Sequence, residues 1–195
     1  MPDVSFAGLR RHQLDPRSWV DHVPGWLGGS DEVFALLLAE ARWTHRDRWM
    51  YDRRVPEPRL TARWAEQVGP DGPPEPLPTV AALLSERYGV AFERIAVNLY
   101  RDGQDSVAWH GDRIAQEVVD PMVCTLSLGG RRRFLLRPKG GGTSTRLELG
   151  PGDLVVMGGA CQREWQHTVP KTARPVGPRM AVTFRHGPRY DEPRG

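Results

Sequence analysis

Three side chains stand out for what they could do together. His110 and Asp112, in the run WHGD, are two residues apart, and in extended chain such a pair projects from one face. A third candidate, His167, lies far downstream. Two imidazoles and one carboxylate make a facial triad and leave three coordination positions open. A non-haem Fe(II) oxygenase needs that arrangement, because those positions must take a bidentate 2-oxo acid and then dioxygen. The spacing alone is weak evidence, since His45-Arg46-Asp47 repeats it in a segment with no alternating strand before it.

The company kept by WHGD strengthens the reading. In RIAVNLY, Ile95, Val97 and Leu99 share one face, which leaves Asn98 and Tyr100 on the other, where both can donate hydrogen bonds to a carboxylate. In PRMAVTFR, Met180, Val182 and Phe184 share a face, with Arg179, Ala181, Thr183 and Arg185 opposite. Two arginines pointing inward from one strand need a buried anion. Their backbones stand roughly 20 Å apart, and long side chains leaning together could hold both ends of a short dicarboxylate by bidentate pairing.

These side chains need a frame. From residue 90 the chain runs as short alternating segments between turn residues: RIAVNLYR, MVCTLSLGG, RRFLLRP, TRLELG, DLVVMGG and PRMAVTFRH. That is the texture of an antiparallel barrel or sandwich. Upstream, residues 1–30 read as an irregular lead-in, and Ser30 followed by Asp31 and Glu32 reads as an N-cap opening the helix DEVFALLLAEA. Residues 42–64 carry seven arginines, three tryptophans and a tyrosine with no clean period, and read as an irregular basic and aromatic cover. The connector GPDGPPEPLP precedes a second helix, VAALLSERY, capped by Thr79 and ended by Gly89. The expected fold is α+β, mainly β: a double-stranded β-helix, or jelly roll, with N-terminal helices and that cover. The expected organisation is one domain over 1–195, with helices and cover over 1–89 and a catalytic core over 90–187; no internal repeat is visible.

Composition agrees with this frame and narrows the function classes. A chain of 195 residues suits one core. Its 21 glycines and 18 prolines point to many turns rather than long helices. No run approaches the roughly 20 apolar residues that span a bilayer, and the first residues lack the apolar centre of a secretory signal, so a cytoplasmic location is expected. Cys124 and Cys161 belong to no CxxC pair and read as buried thiols, which gives a disulfide framework no support. The net charge of +3 would not by itself name nucleic acid as a partner.

Taken in order and spacing, NLYRDGQDSVAWHGD, LSLGGRRRF, GDLVVMGGACQREWQHTVP and GPRMAVTFR resemble the AlkB family of nucleic-acid dealkylating dioxygenases. The resemblance covers 94–186 closely and PEPRLTARW, 56–64, more loosely. It implies that His110, Asp112 and His167 bind Fe(II), that Asn98, Tyr100 and Arg179 hold 2-oxoglutarate mainly at its distal carboxylate, and that Arg185 lies near the end that chelates the metal. It also implies the reaction: 2-oxoglutarate is decarboxylated to succinate, an N-alkyl group is hydroxylated, and the hydroxymethyl product leaves as formaldehyde. Two positions depart from the family. An asparagine often two residues after the first co-substrate arginine is Ala181 here, with Thr183 as the candidate replacement. An acidic residue often two positions after the ligand aspartate is Ile114.

Chemistry on a base requires taking it out of the stack, holding it between flat side chains, and holding phosphates with cations. Trp64 is the first candidate to stack on the base opposite His110, with Tyr51 the second. Arg53, Arg54, Arg59 and the triplet Arg131, Arg132, Arg133 are candidate phosphate contacts. The bland alternative packs Trp43, Trp49 and Trp64 as core and solvates the arginines. His12, His22 and His186 read as surface residues, Trp165 as a wall of the metal site, and Asp153 as a turn residue. The leading expectation is a monomeric enzyme that repairs N-alkylated bases in DNA. Set against it are an RNA demethylase or a protein or small-molecule hydroxylase on the same scaffold, and a non-catalytic nucleic-acid binding module.

Overall fold

A computed structural model describes residues 1–50, 52–64, 71–116 and 118–187, without the side chains of 46, 48–50, 53–56 and 115. Its elements in chain order are β1 (Arg10–Asp15), β2 (Ser18–Val23), α1 (Ser30–Glu40), β3 (Thr44–Met50), β4 (Arg53–Arg63), α2 (Leu77–Tyr88), β5 (Arg94–Tyr100) and β6 (Val107–His110). A 3-10 turn at Arg113–Gln116 follows, then β7 (Val123–Gly129), β8 (Arg132–Pro138), β9 (Thr145–Leu149), β10 (Leu154–Gly159), α3 (Cys161–Glu164), β11 (Trp165–Val169) and β12 (Arg179–Arg185).

Among the described residues the strands form two sheets. The larger has the order β1-β2-β10-β7-β12-β5-β4-β3 and the smaller the order β6-β11-β8-β9, with neighbouring strands antiparallel throughout. Strand alternation sorts the apolar residues into two layers. Ile95, Val97 and Leu99 of β5, Cys124, Leu126 and Leu128 of β7, and Met180, Val182 and Phe184 of β12 meet Val33 and Leu37 of α1 and Leu77, Val80 and Leu84 of α2. The opposite face of the same strands offers Tyr100, Val123 and Ala181, which pack with Val155 and Met157 of β10 against Phe134, Leu136, Leu147, Leu149 and Val169 of the smaller sheet. The large sheet is thus covered on both faces, by helices on one side and by the second sheet on the other. That is a jelly roll with its helices outside, the expected architecture.

The N-terminal half is more regular than expected. Residues 10–23 form a hairpin whose second strand pairs with β10, Val20 opposite Met157. The arginine-rich segment is also a hairpin, β3–β4, that extends the large sheet beyond β5. Its apolar alternation is short but real: Leu60, Ala62 and Trp64 pack on the helix-side layer, while Thr61 faces Asn98. Both helices start differently from expectation. Ser30 is the first residue of α1 rather than its cap, which is Gly29 in a left-handed conformation. α2 begins at Leu77, and Thr79 bonds Glu75 through its hydroxyl at 2.9 Å from within the first turn. Gly89 closes α2 in the left-handed region, φ 69°, as the glycine predicts. Cys124 and Cys161 are both buried and free. Among the described residues no helix is long and apolar enough to cross a membrane.

Candidate active site

The smaller sheet supplies two of the three candidate ligands. β6 and β11 pair with His110 directly opposite His167, and the imidazole centroids stand 4.3 Å apart. Asp112 follows β6 by two residues, and one ligand atom from each of the three lies within 4.8 Å of the others. Asp112 and His167 are held in the forms that a cation needs. Burial works against charge on Asp112, but Arg185, His167 and His110 outweigh it and bring the carboxyl down to about 2. Burial, followed by the charge of His110, pushes the His167 imidazole down to about 3 and so keeps it neutral. Nδ1 of His110 lies 2.8 Å from the Ala108 carbonyl, which can only accept, so this nitrogen carries the proton and Nε2 is left to ligate.

The expected arginine strand stands beside this triad. Arg185 donates through Nη2 to Asp112 at 2.9 Å and through Nη1 to the Thr183 hydroxyl at 2.8 Å. Thr183 gives its only hydroxyl proton to the Ala96 carbonyl at 3.1 Å, so it props Arg185 and does not take the place of the asparagine missing at Ala181. At the other end of β12, Arg179 is 1% exposed and donates through Nε to Ser127 at 3.1 Å. Its Nη1 is buried with no protein partner. Burial, opposed by Tyr100, brings this guanidinium down to about 10, which still leaves it charged at neutral pH. A buried cation with an unused donor is a place for an anion.

Tyr100 and Asn98 complete that end. The Arg179 guanidinium carbon is 5.3 Å from the Tyr100 ring centre, and burial holds the phenol protonated by pushing its pKa up. Asn98 Oδ1 accepts from Arg59 Nε at 3.2 Å and from the Thr61 hydroxyl at 3.1 Å. Arg59 Nε can only donate, so the amide oxygen is committed and its hydrogens are what Asn98 can offer an anion. The chain's own groups therefore fit a metal at the triad and a dicarboxylate running from Arg185 towards Arg179.

Several expected nucleic-acid contacts are placed elsewhere. Trp64 packs on the helix-side layer with Leu60 and Trp43, away from the layer that holds His110, because it shares the face of Ala62. Arg132 is 3% exposed and spends its guanidinium on three carbonyls, those of Asp102, Asp105 and Pro170 at 2.7–2.8 Å. It ties loops together and does not face solvent. Arg59 is turned inward onto Asn98 and pairs with Glu57 at 2.7 Å. Arg131 is exposed, and Arg133 is partly exposed beside Glu148 at 3.5 Å. Tyr51 and the side chains of Arg53, Arg54 and Trp49 lie outside the described residues.

The remaining readings divide. His45 and Asp47 are exposed on β3, so that segment is a strand after all, but no second histidine joins them among the described residues. Ile114 is fully buried in the layer between the sheets. His186 is buried rather than on the surface, and its Nε2 accepts the Met122 N–H at 2.9 Å. His22 is mostly buried beside Asp153 at 3.3 Å, and His12 is partly buried. Asp153 is a turn residue as expected, accepting from the backbone N–H groups of Gly150 and Gly25 at 2.8 Å. Trp165 lines the inter-sheet layer two residues before His167. Gln162, which sequence reasoning passed over, accepts the backbone N–H of Asp112.

A jelly roll that joins a His–Asp–His cluster to a buried arginine strand defines the class of non-haem oxygenases using an oxo-acid co-substrate. Comparison with known proteins narrows the class. The family model of the 2OG-Fe(II) oxygenase superfamily matches residues 30–185. The alpha-ketoglutarate-dependent dioxygenase alkB homolog 3 of Bos taurus is 34% identical over 210 residues, covering 98% of this chain and 71% of that protein. Its Homo sapiens counterpart is 33% identical over 214 residues, covering 98% and 74%. The DNA oxidative demethylase ALKBH2 of Arabidopsis thaliana is 32% identical over 120 residues, covering 50% and 38%. The solved structure of OsALKBH1 superposes with a TM-score of 0.60 at 15% identity, covering 91% of this chain and all of that one, and supports the fold. The chain belongs to the 2OG-Fe(II) oxygenase superfamily, within its AlkB family.

Proposed function

We propose that the chain acts as one dioxygenase domain that removes N-alkyl groups from nucleobases, with DNA as its substrate. The observation that carries the reading is the pairing on β12 of Arg185, bonded to Asp112 at 2.9 Å, with Arg179, whose buried Nη1 has no protein partner. His110, Asp112 and His167 would hold Fe(II), and Arg179, Asn98 and Tyr100 would hold the distal carboxylate of 2-oxoglutarate. With iron, 2-oxoglutarate and dioxygen bound, the chemistry supplied is decarboxylation to succinate and carbon dioxide coupled to oxygen insertion into an N-alkyl C–H bond. The hydroxymethyl amine then loses formaldehyde. The residues' own share is orientation and charge: Arg185 keeps Asp112 ionised, and Arg179 neutralises the far carboxylate away from water.

DNA is preferred over RNA because a relative over half of this chain is a DNA oxidative demethylase. Arg131 and Arg133, exposed and partly exposed beside the smaller sheet, remain the phosphate contacts of choice, with Arg53 and Arg54 on the β3–β4 hairpin. The test is to load the protein anaerobically with iron, supply 2-oxoglutarate, and offer methylated DNA and RNA oligomers. Succinate and demethylated base should appear together on DNA. Succinate with no change in any oligomer would retain the dioxygenase and reject the substrate.

A further inference from the structure

Gln162 lies in the four-residue helix α3, five residues before His167, and is 1% exposed. Its Oε1 accepts the backbone N–H of Asp112 at 2.9 Å, and its Nε2 reaches the Met157 sulfur at 3.6 Å. The side chain therefore spans the two segments that carry the triad: Asp112 follows β6, and α3 runs straight into β11. The main chains are also close. A Cβ on Gly111, the residue between His110 and Asp112, would stand 2.8 Å from the Gln162 carbonyl oxygen.

α3 is held from its far side. The Ala160 N–H donates to the Arg17 carbonyl at 2.9 Å, Arg17 pairs with Glu164, and the Trp165 indole N–H donates to Asp15. The β1–β2 turn thus fixes α3, and α3 fixes the Asp112 main chain through Gln162. Arg185 holds the same residue by its carboxylate at 2.9 Å. Asp112 is gripped at backbone and side chain by two different elements.

We propose that Gln162 is a positioning residue for the metal, keeping the Asp112 main chain where its carboxylate meets His110 and His167 before the ion arrives. It touches no reacting atom. The proposal rests on the reading of the triad as a metal site, and the experiment separates the two. Mn(II) is titrated into metal-free wild type, Gln162→Met, Gln162→Asn, Gln162→Glu and Met157→Leu by calorimetry. Visible spectra of the Co(II)-loaded proteins and melting curves of the metal-free ones are recorded alongside.

Loss of partners that orient a ligand costs about ten-fold to a hundred-fold in metal affinity. Gln162→Met, of similar length but with no acceptor oxygen, should weaken Mn(II) by about ten-fold or more and move the Co(II) bands. Gln162→Asn, which draws the amide back by one methylene, makes the same test should the methionine variant not fold. Gln162→Glu keeps an oxygen in place and should stay nearer wild type. Met157→Leu removes only the sulfur end and should hold affinity within about three-fold. If Gln162→Met and Gln162→Asn melt earlier yet bind Mn(II) as wild type does, with unmoved Co(II) bands, Gln162 is packing and the proposal fails. If wild type itself binds no Mn(II), the metal-site reading fails first and takes the proposal with it.

Discussion

At the scale of single residues, the site gathers charges that are mostly or wholly buried, Arg179 most completely. Arg179→Ala removes the buried cation proposed to hold the distal carboxylate. Hydrogen bonds to charged groups are worth about 1.5–3 kcal/mol each, so the apparent Michaelis constant for 2-oxoglutarate should rise roughly ten-fold to more than a hundred-fold. Tyr100→Phe should cost less, and metal affinity should survive both; unchanged 2-oxoglutarate affinity in the Arg179 variant would show that the strand is misread. Alanine at His110, Asp112 or His167 should abolish succinate formation with or without nucleic acid. His45→Ala should leave it nearly intact, and equal loss in that variant would reject the triad. These residues were legible because spacing and alternation constrain them: an HxD pair, a distant histidine, and two arginines across the strand from Met180, Val182 and Phe184. Gln162 was not legible, because a lone glutamine carries no periodic or chemical signal and its role exists only once α3 meets the chain after β6.

At the scale of elements, legibility followed contrast between the two faces of a strand. β5, β8, β9, β10 and β12 were found within a residue or two of their ends, and β7 likewise, because alternation or continuous apolar runs marked them. β6 has only four residues, and β11 reads WQHTV, with polar side chains at its three central positions, so neither shows an apolar period. β3 and β4 are so rich in arginine that charge masked the Leu60, Ala62, Trp64 alternation, which is why Trp64 was expected over the site and packs on the helix-side layer instead. Arg132 shows the same limit: a basic triplet looks uniform in sequence, yet its middle member is buried among three carbonyls. Leaving buried polar groups unpaired costs about 1–3 kcal/mol each, so Arg132→Met should lower the melting temperature clearly while leaving the salt dependence of oligonucleotide binding unchanged. Arg133→Ala should do the reverse, flattening that slope by roughly one unit. A flattened slope in the Arg132 variant would return that residue to the phosphate-binding set.

At the scale of the whole molecule, Asp153 joins the N-terminal hairpin to the core, through the N–H of Gly25, the N–H of Gly150 and the ring of His22. Burial opposes its charge, but these partners prevail and hold its carboxyl below the ordinary range. A depressed carboxyl pKa stabilises the fold fully above the unfolded value near pH 4, and that contribution is lost as pH falls towards the folded value. The melting-temperature gap between wild type and Asp153→Asn should therefore be wider at pH 6 than at pH 3; a gap independent of pH would mean the carboxylate's charge is not used. Sheet order carries a different consequence, one of timing. β12 is the last described strand in sequence yet the fifth of eight across the large sheet, between β7 and β5. Until it emerges from the ribosome, the two blocks β1-β2-β10-β7 and β5-β4-β3 each present an open edge, and neither can close on the other. Pairings so distant in sequence are slow to form, and unpaired edges invite other chains. The strand that carries both arginines is thus also the one whose arrival commits the nascent chain to its final shape.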